Sequence, residues 1–223
     1  METGFLYCSV LNLVLCFYVI LALFIVPLSV YTPHQHEQGL KEVLNMTTAA
    51  YSIRRGSLIW LTMTALFMGM NIILSLSIFS IPVPGGHLYF CDVVINTAAV
   101  LLDPFAAFLV GGVGSFLGDF FFYPAPMFVS LVTHGLQAVV VSLISRKVLF
   151  GKQAASSVIG VTVGAIIMTI GYTLGRAYVY STPEYAILKL PFEILQAGFG
   201  AVVAILLLYP MGLRKLFEKT VRR

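Results

Sequence analysis

Charge is what this chain has least of. Of its 223 residues only 10% are Asp, Glu, Lys or Arg, against about 25% in an ordinary soluble domain. Hydrophobic residues make up 59%, more than a soluble core can hide, so a water-facing surface would itself be apolar. Disorder is excluded by the same figures, because a disordered chain is polar or highly charged. Cysteine is scarce as well. Cys8, Cys16 and Cys91 all lie in apolar sequence with no CxxC pair, which argues against a disulfide framework or a zinc site. Catalytic motifs are missing too: there is no HExxH, Ser/His/Asp set or carboxylate pair at catalytic depth. The glycine-rich stretch Gly111–Gly118 lacks the Gly-Lys-Ser/Thr ending of a phosphate-binding loop. The expectation is a non-enzyme with no cofactor and no metal.

What the chain does have is long apolar runs, at 5–30, 57–80, 88–102, 105–122, 127–145, 155–178 and 187–209. Each is close to the roughly 17 to 25 residues that a membrane helix needs. The predicted fold is therefore all-α, a polytopic membrane helix bundle. The run 5–30 is read in two ways. It is an extra N-terminal span with the N-terminus outside, or it lies upstream of an alternative start at Met46. The division that follows is an N-terminal hydrophobic helix and linker over 1–45 and a six-span domain over 46–223.

Alternating spans put eleven of the 13 cations on one side: Lys41, Arg54, Arg55, Arg146, Lys147, Lys152, Arg214, Lys215, Lys219, Arg222 and Arg223. Positive charge marks the cytoplasmic side, so the C-terminus is expected inside the cell membrane. Arg176 and Lys189 fall toward the other face.

Ionisable residues within a membrane are costly and mark function. Counting from span ends at about 1.5 Å per residue puts Asp92, Asp119, His134, Arg176, Lys189 and Glu193 within roughly 12–15 Å of the outer surface. Spacing of three and four sets partners on the same helix faces: Asp92 with Asn96, His134 with Gln137, Tyr172 with Arg176, and Lys189 with Glu193 and Gln196. The reading is one outward-facing polar pocket whose substrate-binding set is Asp92, Asn96, Asp119, His134, Gln137, Tyr172, Arg176, Glu193 and Gln196. Lys189 and Asp119, near helix ends, suit interfacial anchoring equally well. Pro84, Gly85, Gly86 and His87 form a stiff, shaped turn that could act as a lid over the pocket, or a plain tight connection. Gly114 and Gly118, four apart, read as a close helix-packing face. Ala65 and Gly69, also four apart, form a small-residue ridge suited to internal packing or to docking another membrane protein.

The order IPVPGGHLYFCDVVINTAAVLLDPFAAFLVGGVGSFLGDFF (81–121), PAPMFVSLVTHGLQA (124–138) and TALFMGMN (64–71) resembles a substrate-binding S component of an energy-coupling factor (ECF) vitamin transporter. Its nearest branch is the hydroxymethylpyrimidine and pyridoxine type. The resemblance covers about 50–215 and implies a six-helix core that binds one small vitamin or precursor from outside. It further implies docking through Ala65 and Gly69 on a membrane T subunit that carries two cytoplasmic ATPases. A self-sufficient secondary transporter is the alternative reading. Such transporters usually carry internal repeats, and none is evident between 57–122 and 127–209.

Overall fold

The structure is a computed structural model, and it describes residues 55–76, 80–84, 86–147 and 152–221. The run 5–30, Met46 and the boundary at residue 45 lie outside the described residues, as does Gly85. Within the unit Thr48–Arg214 the order is α1 (Leu58–Leu74), strands β1 (Ile81–Val83) and β2 (Gly86–Leu88), then α2 (Cys91–Leu101). Three long helices of the unit follow closely: α3 (Pro104–Phe122), α4 (Met127–Arg146) and α5 (Gln153–Tyr180). The last long helix is α6 (Pro183–Leu208), and α7 (Leu213–Val221) closes the described chain.

Four of these helices, α3 to α6, are long and apolar enough to cross a membrane. The other two expected spans are shorter. α1 has 17 residues and α2 has 11, about 26 and 16 Å at 1.5 Å per residue, against a hydrocarbon core of about 30 Å. The reason for the short α2 is its position. All its residues from Cys91 to Leu101 are buried, so it has no lipid-facing side whose length must match the bilayer. After α1 the described chain resumes in a hairpin of β1 and β2.

That hairpin is antiparallel, with Ile81 opposite Leu88, Pro82 opposite His87 and Val83 opposite Gly86. Gly86 has φ +148°, a conformation that a side chain disfavours.

Close helix contacts follow the glycines. A Cβ on Gly114 would lie 2.9 Å from Asn71 Nδ2, and one on Gly118 would lie 2.7 Å from Ser75 Cβ. Gly114 and Gly118 are thus the face on which α3 meets α1. Between them and the start of α3 the helix opens into a π turn, Leu109–Val113. Such a turn disturbs the regular backbone ladder, and Asn71 Nδ2 donates to the Val110 carbonyl there at 2.7 Å. In α6, Pro191 lies between Lys189 and Glu193 and has no N–H to offer the preceding turn.

At the end of the bundle away from the hairpin, Asp103 caps α3, accepting from the Phe105 N–H, with Pro104 in the first helical turn. Arg55 Nε donates to Asp103 at 2.8 Å, and the Trp60 indole N–H donates to its other oxygen. This carboxylate therefore ties α1 to the α2–α3 break. Burial alone would raise the Asp103 carboxyl. The hydrogen bonds from Trp60 and Arg55, with the Arg55 charge, outweigh it and hold the group below its ordinary value.

Candidate functional site

Beneath the hairpin lies a cavity of about 160 Å³ lined by residues of α2 to α6 and of β2, and by Ser75 at the C-cap of α1. Of the residues singled out from sequence, Gly86, His87, Asp119, His134, Tyr172, Arg176, Glu193 and Gln196 line it. Lys189, which the sequence left between anchor and site, lines it as well. Asp92, Asn96 and Gln137 stand behind this wall. They share its depth but face the helix contacts, and they are buried at 1%, 0% and 0% exposure. Pro84 is in the hairpin turn and does not line the cavity.

The buried polar residues form two hydrogen-bonded groups. In the first, Gln137 Nε2 donates to Asp92 Oδ1 at 3.1 Å and to Asn96 Oδ1 at 3.3 Å. Gln196 Nε2 donates to Asp92 Oδ2 at 2.8 Å. Both Asp92 oxygens are thereby occupied by amides from α4 and α6. Because Gln137 presents its nitrogen to these acceptors, its oxygen is what meets His134 Nδ1 at 2.8 Å. His134 must then carry its proton on Nδ1. Asp119 extends this wall, since the Ser130 hydroxyl donates to its Oδ2 and lies 2.6 Å from the Tyr172 hydroxyl. A carboxylate only accepts, so Ser130 gives its single proton to Asp119 and Tyr172 donates to Ser130. The Tyr172 ring sits 5.1 Å from that of His134.

The second group is cationic. Arg176 Nη2 and Lys189 Nζ approach the same oxygen, Glu193 Oε1, at 3.2 and 3.5 Å. Lys189 Nζ also donates to the His87 carbonyl at 2.6 Å, and the Tyr89 N–H donates to Gln196 Oε1 at 3.0 Å. Two α6 side chains thus hold the hairpin strand and the chain that follows it against the cavity mouth.

Cys91, Asp92 and His134 bring potential metal-ligating atoms within 4.8 Å of one another. Asp92 and His134 are already engaged by the amides of Gln137 and Gln196. Sequence reasoning missed Ser130 and Tyr180. Both were within reach of the spacing argument, since Ser130 precedes His134 by four residues and Tyr180 follows Arg176 by four.

A family model described as ECF-type riboflavin transporter, S component, matches residues 57–215. The chain belongs to this family. A Pyrococcus woesei protein, described as an uncharacterised protein in the gap 3′ region, is 34% identical over 126 residues, which cover 55% of this chain and 82% of the relative. As an S component, the chain is a multi-pass membrane protein and the substrate-binding subunit of an ECF transporter. The family is one of transporters and not of enzymes, and it implies a vitamin substrate and an ECF T-subunit and ATPase module as partners.

Proposed function

We propose that this S component captures a small water-soluble vitamin or precursor of the pyridoxine or hydroxymethylpyrimidine class. It does so from outside the cell, with the hairpin end facing out and the C-terminus in the cytoplasm. The observation that carries the substrate reading is the size of the cavity. At about 160 Å³ it is close to an engineered cavity of about 150 Å³ that takes up benzene. One aromatic ring with short substituents suits that volume. The riboflavin of the family's description has three fused rings and a long polyol chain, which would need a much larger space.

The orientation rests on charge placement. Arg55, Arg146, Lys147, Lys152 and Arg214 all fall at the end away from the hairpin, and the side richer in Lys and Arg is the cytoplasmic one. Delivery inward would follow docking of α1 on a T subunit that carries two cytoplasmic ATPases. Ala65 is exposed, and a Cβ on Gly69 would meet nothing within 4 Å. This ridge therefore has space around it for a partner helix.

The binding set is the cavity wall of Asp119, His134, Tyr172, Arg176, Glu193 and Gln196, supported from behind by Asp92, Asn96 and Gln137. Gly86 and His87, with the Pro84 turn, serve as the lid. Equilibrium binding of pyridoxine and hydroxymethylpyrimidine to the isolated protein without ATP tests this reading. His134→Ala and Glu193→Ala are each expected to weaken affinity by about tenfold or more, roughly 1.4 kcal/mol. Unchanged affinity in both would return these residues to a packing role. Uptake by the protein alone in liposomes would instead favour a self-sufficient transporter.

A further inference from the structure

The walls of the cavity differ in what they still have to give a ligand. Arg176 and Lys189 both meet Glu193 Oε1, Lys189 also bonds the His87 carbonyl, and Arg176 lies over the Tyr180 ring. That wall is bonded within itself and to the hairpin, so its charge does not choose a ligand. The wall built from α3, α4 and α5 is different, because the direction of its hydrogen bonds is fixed from behind. The Asp92 carboxylate only accepts, so Gln137 turns its nitrogen to Asp92 and its oxygen to His134 Nδ1. In the neutral imidazole Nε2 is then an acceptor. Tyr172 gives its proton to Ser130, and Ser130 gives its own to Asp119 Oδ2. Asp119 Oδ1 has no hydrogen bond among the described residues and is not one of their sealed, unsatisfied atoms. Asp119 and His134 both line the cavity. Of the linked side chains Asp119, Ser130, His134 and Tyr172, none has a proton left to donate. What they offer a ligand is acceptors.

We infer that the ligand meets this wall with a hydrogen-bond-donor edge, an N–H or O–H on a single ring, and that Asp119 Oδ1 is the acceptor that selects it. A ring whose polar atoms only accept would set lone pairs against lone pairs here and leave Oδ1 without a partner. A site built to bond a donor discriminates strongly against an analogue that lacks it, because the site's own polar group is then left unpaired. The rings of both proposed classes carry such donors: hydroxyl groups in pyridoxine, an amino and a hydroxymethyl group in hydroxymethylpyrimidine. Nicotinate, a pyridine carboxylate, carries none when ionised. Exchange of Asp119 for Asn reverses the polarity of this point. Ser130 needs an acceptor for its proton, so the amide oxygen stays with Ser130 and the amide nitrogen, a donor, turns to the cavity. This inference rests on the proposed vitamin-binding role and names the edge of the ligand that the site reads.

The test is titration calorimetry of the full-length protein in detergent, wild type and Asp119→Asn, with thermal unfolding to report whether the variant is folded. The probes are pyridoxine, hydroxymethylpyrimidine, analogues of each with one donor group at a time replaced by hydrogen, and nicotinate. Wild type is expected to bind the better of the first two rings at least about tenfold more tightly than nicotinate, and to lose about tenfold when one of that ring's donor groups is removed. Asp119→Asn should bind the intact ring about tenfold more weakly than wild type does, yet bind that donor-deleted analogue within about twofold of wild type. Three results overturn this inference and leave the vitamin-binding role standing: donor deletions that all cost wild type less than about twofold, nicotinate bound as tightly as the intact ring, or an Asp119→Asn effect equal for intact ring and analogue. Failure of wild type to bind pyridoxine or hydroxymethylpyrimidine overturns both. If Asp119→Asn does not fold, the wild-type donor series and nicotinate decide the matter.

Discussion

Gln196 Nε2 donates to Asp92 Oδ2 at 2.8 Å across the contact between α6 and α2. With Gln137 of α4 on the other oxygen, one buried carboxylate joins three helices just behind the cavity. Gly200 makes room for it, since a Cβ there would collide with Asp92.

Removing this carboxylate leaves the Gln196 amide without its acceptor and the Gln137 amide with Asn96 alone, and a buried donor left unsatisfied costs about 1–3 kcal/mol. Asp92→Ala is therefore expected to lower stability by about 2 kcal/mol or more in equilibrium unfolding of the detergent-solubilised protein. Asp92→Asn, which keeps one acceptor oxygen, should cost less. A harmless Asp92→Ala would mean that the three helices are held together by packing alone.

The docking ridge gives a separation of functions. Ala65→Leu and Gly69→Leu add bulk where α1 has space, so ligand binding by the isolated protein should stay within about twofold of wild type. Uptake by cells that also express the T subunit and ATPases should fall by about tenfold or more. Intact uptake in both variants would remove α1 from the docking surface.

Asp103 predicts a pH dependence at the other end of the bundle. Its carboxyl is held below the ordinary value in the folded protein. The stability it contributes is thus fully present above the unfolded value of about 4 and is lost as pH falls through the folded one. The unfolding midpoint of wild type should exceed that of Asp103→Asn near neutral pH, and the gap should close as pH falls below the unfolded value and through the lower folded one. The Arg55 side chain is 63% exposed, so salt should narrow the gap as well. A gap independent of pH would show that the Asp103 charge contributes nothing to the cap.

Depth along each helix was legible in the sequence because helical rise is constant. Counting from the span ends was enough to bring His134, Arg176 and Glu193 to one level. Rotation about the helix axis was not legible to the same degree. Asp92 and Asn96 lie at the right depth but face neighbouring helices, because α2 is buried on every side, and Gln137 of α4 turns toward them. That azimuth depends on contacts between distant segments, such as Gly112 against Gly135, which periodicity does not encode. The stretch from Ile81 to His87 could be read as a shaped turn from its prolines and glycines. Its pairing as a two-stranded hairpin, held by Lys189, depends on α6 more than a hundred residues later.

The most direct measurement is mass spectrometry of the small molecule released on denaturing the purified protein. The account predicts a single-ring heteroaromatic of the pyridoxine or hydroxymethylpyrimidine class, in near-stoichiometric amount. Release of a flavin, or of no small molecule from protein that also fails to bind pyridoxine and hydroxymethylpyrimidine, would contradict it.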